Sequence, residues 1–153
     1  HVQPGTGSAD ALLGLNISHA IDRFTLAANA LYAARTEGTA GDTRHQFGNG
    51  VTYDVTGLYR LYPATPPGPT TSIAFGVAGE QRNREKMNGV TMSGTEGHVL
   101  YLNTGLLVMP FPQWIMELNY RPAIYHNLPA NAVGAPQLGE AYKVTLSLTT
   151  FFR

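Results

Sequence analysis

The stretch Trp114-Ile-Met-Glu-Leu-Asn-Tyr-Arg-Pro-Ala-Ile-Tyr125 decides the fold. Its even positions are Trp114, Met116, Leu118, Tyr120, Pro122 and Ile124. Its odd positions include Glu117, Asn119 and Arg121, with Ile115 and Ala123 as apolar exceptions near the ends. Successive side chains of a strand point to opposite faces, so this alternation predicts a strand with one apolar and one polar face.

The pattern recurs along the chain. Tyr142, Val144, Leu146, Leu148 and Phe152 oppose Lys143, Thr145, Ser147 and Thr149. Between His98 and Met109 the apolar set is Leu100, Leu102, Leu106 and Val108, against a less clean set of Val99, Tyr101, Asn103, Gly105 and Leu107. Val51, Tyr53, Val55, Tyr59 and Leu61 oppose Thr52, Asp54, Thr56 and Arg60. Phe24, Leu26, Ala28, Ala30 and Tyr32 oppose Thr25, Asn29 and Arg35. Ile73, Phe75 and Val77 oppose Ser72, Gly76 and Glu80, and Leu13, Leu15 and Ile17 oppose Gly14, Asn16 and Ser18.

About seven strands of ten or so residues follow, in a single domain over residues 1–153. Strands of about 9–11 tilted residues cross a bilayer, whereas strands of soluble proteins average about 5–6. The fold expected is all-β: an antiparallel up-and-down transmembrane β-barrel with its apolar face to lipid. The charged and amide side chains then line the lumen, namely Arg35, Asp54, Arg60, Glu80, Arg82, Glu117, Asn119, Arg121 and Lys143. Glu117, Arg121 and Lys143 fall on neighbouring strands within reach of direct ion pairing; the alternative is that these charges keep the interior wet and the sheet in register. Tyr32, Tyr59, Trp114, Tyr120, Tyr142 and Phe152 fall near strand ends, where amphipathic rings meet the headgroups.

The connections alternate in length. Ile21 to Arg23, Pro63 to Pro69 and Pro110 to Gln113 are short. Glu37 to Gln46, Asn83 to Gly97 and His126 to Leu138 are long and are read as loops. Short periplasmic turns and long external loops characterise outer-membrane barrels, and these barrels carry an even number of strands. An odd count predicts that one or more strands precede His1, or that a second chain completes the sheet. An open sheet in lipid would leave two edges without hydrogen bonds.

Composition narrows the function. Asp, Glu, Lys and Arg make up 13% of the chain, about half the usual share for a soluble domain. The formal net charge is zero, and no basic patch suggests a nucleic-acid partner. With no Cys, a disulfide framework and a thiolate metal site are excluded. The chain has no Gly-x-Ser-x-Gly elbow. His19, His45, His98 and His126 lie at strand ends or in loops without ligand spacing. Neither catalysis, a cofactor nor a metal is expected. The charged run Arg82-Asn-Arg-Glu-Lys86 reads as a solvated loop base or a contact for lipopolysaccharide phosphates.

The C-terminal quarter carries a family resemblance. Pro122 and Tyr125 form a P-x-x-Y element, and Gln137, Leu138, Gly139 and Tyr142 form a QLG-x-x-Y element before the last strand. This arrangement resembles the C-terminal hairpin of outer-membrane barrels of the phenol-degradation meta-pathway transporter family. The resemblance implies an uptake channel in the bacterial outer membrane for small aromatic or hydrophobic solutes. Many outer-membrane barrels end on Phe; here Phe151-Phe152 precedes Arg153. The competing expectation is a structural barrel, a sleeve or anchor for a partner in an envelope complex.

Overall fold

The computed structural model describes residues 7–63, 68–129 and 140–151, and the regular elements among them are all strands. Two long strands, β1 (Ala11–Ile21) and β2 (Phe24–Ala34), precede the short β3 (Gly38–Ala40) and β4 (Thr43–Gln46). The long β5 (Gly50–Tyr62) and β6 (Thr70–Arg82) precede the short β7 (Lys86–Met87) and β8 (Val90–Thr91). Then follow β9 (Gly97–Met109), β10 (Trp114–Asn127) and β11 (Tyr142–Thr150).

The long strands form one seven-stranded antiparallel sheet, ordered β1-β2-β5-β6-β9-β10-β11. Each long strand pairs with the next long strand along the chain, an up-and-down path. Asp22 and Arg23 alone join β1 to β2, with Asp22 at φ 51°, a left-handed conformation suited to a two-residue hairpin. At Pro110–Gln113 the turn is closed by Trp114 N–H donating to the Phe111 carbonyl at 3.1 Å.

Two long connections differ from the expectation of loops. Residues of Glu37–Gln46 and Asn83–Gly97 form a second, four-stranded sheet, ordered β3-β4-β7-β8. The β7–β8 turn is Asn88-Gly89, both residues at positive φ (49° and 79°). That is the backbone a tight hairpin turn needs, and Asn-Gly adopts it at low cost. His45 pairs with Met87 and Gln46 with Lys86, joining the two connections. Arg44 and Asn88 add two further hydrogen bonds of 2.8 Å. Of the third long connection, residues 130–138 lie outside the described residues, as do Phe152, Arg153 and the Gln137–Gly139 motif.

Register assigns every side chain of the large sheet to a face. The row Ile17, Ala28, Val55, Val77 and Leu102 lies on one face; Asn16, Asn29, Asp54 and Ala78 lie on the other. Two irregularities break the alternation. A register shift between Arg60 and Tyr62 leaves both Leu61 and Tyr62 exposed, and one between Ala123 and Tyr125 does the same for Ile124 and Tyr125. An extra residue in one strand flips the parity beyond it.

Burial is inverted relative to a soluble protein. Leu146 is 76% exposed, Leu13 74% and Leu15 61%. The buried residues other than glycine are Ser72, Ala78, Val99, Tyr101, Asn103 and Asn119. All of them lie on the polar face by register. That face is concave: one cavity touches all seven long strands, from Asn16 on β1 to Lys143 on β11. The sheet stays open at its ends, where β1 and β11 each have one partner among the described residues.

Candidate functional site: the polar interior

All the lumen-lining residues named from sequence except Arg35 lie within the long strands, and all of those lie on the concave face. Asp54, Arg60, Glu80, Arg82, Glu117, Arg121 and Lys143 are also the complete set of Asp, Glu, Lys and Arg residues in these strands. The convex face therefore carries none of these four residue types, although His19 and His98 lie on it.

A hydrogen-bonded chain runs along the wall. Asn16 on β1 donates to Asn29 on β2. Asn29 Nδ2 donates to both Asp54 carboxylate oxygens, at 3.0 and 3.2 Å. Asn103 Nδ2 on β9 donates to Thr56 Oγ1 on β5 at 2.8 Å, and Thr56 lies 3.5 Å from Asp54 Oδ2. Arg121 Nε on β10 donates to Asn103 Oδ1 at 3.1 Å. The link from β9 to β5 passes over β6 at Gly76, which is paired with both Thr56 and Asn103. A Cβ at Gly76 would overlap the Val55 carbonyl oxygen. Glycine thus keeps two backbones close and leaves a lane for Asn103. Gly105 plays a related part, because a Cβ there would collide with the Asn119 amide.

Glu117, Arg121 and Lys143 do not pair with one another directly. Arg121 and Lys143 are register partners, both cationic. Glu117 lies four residues from Arg121 on the same strand, roughly 13 Å away at 3.3 Å per residue. Glu117 instead accepts from Asn119 Nδ2 at 2.7 Å and Ser147 Oγ at 3.4 Å. Lys143 reaches from β11 to β6, donating to Glu80 Oε1 at 2.7 Å, and also meets Glu140 Oε2 at 3.2 Å. Its ammonium sits 4.6 Å from the Tyr101 ring centroid. Parity gave each residue its face, while curvature chose its partner.

Arg35 lies one residue beyond β2, its guanidinium 5.7 Å from the Phe47 ring. It lines the cavity at the long-connection end with Arg82 and Lys143. Arg60 lies at the opposite end, paired with Ser72.

The convex face carries aromatic groups near both ends. Tyr32 accepts from Asn49 Nδ2 at 3.0 Å, and the Tyr120 and Tyr142 rings are 6.2 Å apart. Tyr59 pairs with Phe24, and Trp114 begins β10 at the short-turn end. Sequence reading missed one cluster here. Tyr53 covers Gly79, its hydroxyl 2.9 Å from His98 Nε2, and His98 meets Tyr125 edge-on at 5.8 Å.

The run Arg82–Lys86 is tied into the small sheet rather than left as a free loop base. Arg84 Nε donates to Glu96 Oε1 at 2.8 Å, and Glu85 meets His45 at 3.2 Å. Glu96 accepts backbone hydrogen bonds, including one from Gly94 N at 3.0 Å. These amides, its own foremost, together with the Arg84 guanidinium hold its carboxyl below the usual glutamate range. No group of three or more His, Asp or Glu among the described residues is placed to hold a metal.

No family model matches the chain, and no curated protein matches it significantly. The resemblance noted above therefore stands on the quoted residues alone.

Proposed function

We propose that this chain forms a wall of an outer-membrane β-barrel that lets small solutes pass through a polar lumen. One observation carries the reading: the long strands place every Asp, Glu, Lys and Arg side chain on the concave face and none on the convex face, where His19 and His98 are the titratable groups besides tyrosine. A basic side chain on a lipid-facing position costs about 2–4 kcal/mol at the bilayer midplane. In water the same segregation has no benefit, and a continuous exposed apolar face is a liability. A strand of 13 residues extends roughly 40 Å, and at a barrel's typical tilt it spans roughly the 30 Å hydrocarbon core.

The open edges need hydrogen-bond partners in lipid. In this reading further strands, from the same polypeptide or a second one, complete the ring between β1 and β11. A transport role for small aromatic or hydrophobic compounds follows from the family resemblance, and lipopolysaccharide would surround the long-connection end. A second reading is favoured by Lys143, whose reach from β11 to β6 braces the interior: a barrel that serves as a sleeve or anchor. Planar-bilayer recording of the purified protein separates them. Discrete conductance steps support passage; a folded, bilayer-inserted protein without them overturns it.

A further inference from the structure

At its long-connection end the concave face forms a cavity of about 480 Å³, within the roughly 300–1,000 Å³ of small-molecule sites. Its lining is two-natured. Leu12, Leu31 and Val99 give it an apolar wall, and three cations, Arg35, Arg82 and Lys143, reach it. Two carboxylates face them, Glu80 and Glu140, and Lys143 engages both.

Their holds on Lys143 differ. Glu80 is anchored in β6 and lies 2.7 Å from Nζ. Glu140 lies ahead of β11, its side chain is 63% exposed, and its distance is 3.2 Å. An ammonium offers three donors in rotatable geometry, so an exposed carboxylate in one position is exchangeable. Glu140 marks where an incoming carboxylate would sit.

We infer that this cavity binds a small organic anion, a carboxylate carrying a short apolar tail. The headgroup takes the place of Glu140 on Lys143, within the field of Arg82 and Arg35. The tail lies on Leu12, Leu31 and Val99. A neutral solute of the same shape gains the tail contact without the charge-assisted hydrogen bond. A cation meets three like charges, and the two carboxylates beside them are already engaged by Lys143. Asp54, deeper along the wall and supplied by Asn29 and Thr56, sets the lower limit of the anion's position. This inference rests on the channel reading for the ligand's route and tests separately from it.

The experiment is calorimetric titration of the full chain in detergent micelles with hexanoate, with hexanamide as its neutral match and empty micelles as the blank. Hexanoate is expected to bind about tenfold more tightly than hexanamide, equivalent to about 1.4 kcal/mol. Lys143→Gln and Arg82→Gln each weaken hexanoate several-fold, while Glu140→Gln, which removes the internal competitor, strengthens it. Circular dichroism checks that each variant keeps its sheet; if Lys143→Gln does not fold, Arg82→Gln and Glu140→Gln decide. Equal binding of hexanoate and hexanamide overturns the inference, as does hexanoate affinity unchanged in the folded variants. Conductance without hexanoate binding leaves the channel reading standing alone, and hexanoate binding without conductance does the reverse.

Discussion

Leu102 and Asn103 are neighbours on β9, yet the leucine is 41% exposed and the asparagine 4%. The same contrast separates Leu118 at 46% from Asn119 at 8%. In a water-soluble sheet the leucines would be the covered residues. Here the amides pack and pair, and the aliphatic side chains are left without protein cover. The contrast sets an apolar face without protein cover against a concave face that supplies its own polar partners, and the proposed channel puts lipid on the first.

The sharpest way to break the contrast is to put charge on the wrong face. Leu102→Arg is expected to cost about 2–4 kcal/mol of folding free energy in lipid bilayers. Thr145→Arg, on the concave face, is expected to cost less than about 1 kcal/mol. Denaturant titration of both variants in liposomes checks this, and equal costs would remove the distinction between the faces.

A smaller loss is expected where the concave face needs empty space. Gly76→Val drives a side chain into the Val55 carbonyl and blocks the lane of Asn103. Overpacking of this kind costs about 1–3 kcal/mol. The same titration reads it, and an unchanged midpoint would mean that the two backbones separate freely. Asn103→Ala removes the link between Thr56 and Arg121, with a cost of about 1 kcal/mol. A double-mutant cycle with Arg121→Ala isolates the shared part.

The smallest effect lies outside the long strands. The Glu96 carboxyl titrates below its usual range, so its ionised form is the one the fold favours. That contribution is present above the ordinary glutamate pKa and is lost as pH falls through the lowered value. Protection factors of the β7–β8 hairpin amides, each corrected for the intrinsic exchange rate at that pH, are expected to fall over that descent in the native chain and to stay flat in Glu96→Gln. Parallel profiles would show that Glu96 does not stabilise the hairpin.

Much of this contrast was legible in the sequence. Alternation located the long strands and put Asp54, Glu80, Glu117 and Lys143 on the concave face, because period two maps directly onto sidedness. Partners were not legible. Lys143 joins Glu80, three strands away in the sheet, through a curvature that alternation does not encode. The parity breaks beside Tyr62 and Tyr125 each depend on an extra residue that leaves no compositional mark. The small sheet was missed because its strands have two to four residues, too short for periodicity to show. Asn88-Gly89 was the available signal. In the interior chain, the amides Asn16, Asn29 and Asn103 shared the parity of the charged residues, and that was the clue to their role.

The central claim is that lipid covers one face of the large sheet and water the other. The chain has no native cysteine, so single cysteines at positions 115–120 of β10 each take one spin label without interference. Measured in bilayers, labels at 116, 118 and 120 are expected to collide with oxygen, which concentrates in lipid. Labels at 115, 117 and 119 are expected to collide with a water-soluble nickel chelate instead. Two oppositely phased oscillations of period two would bear out the account; chelate access at 116 and 118 equal to that at 117 and 119 would contradict it.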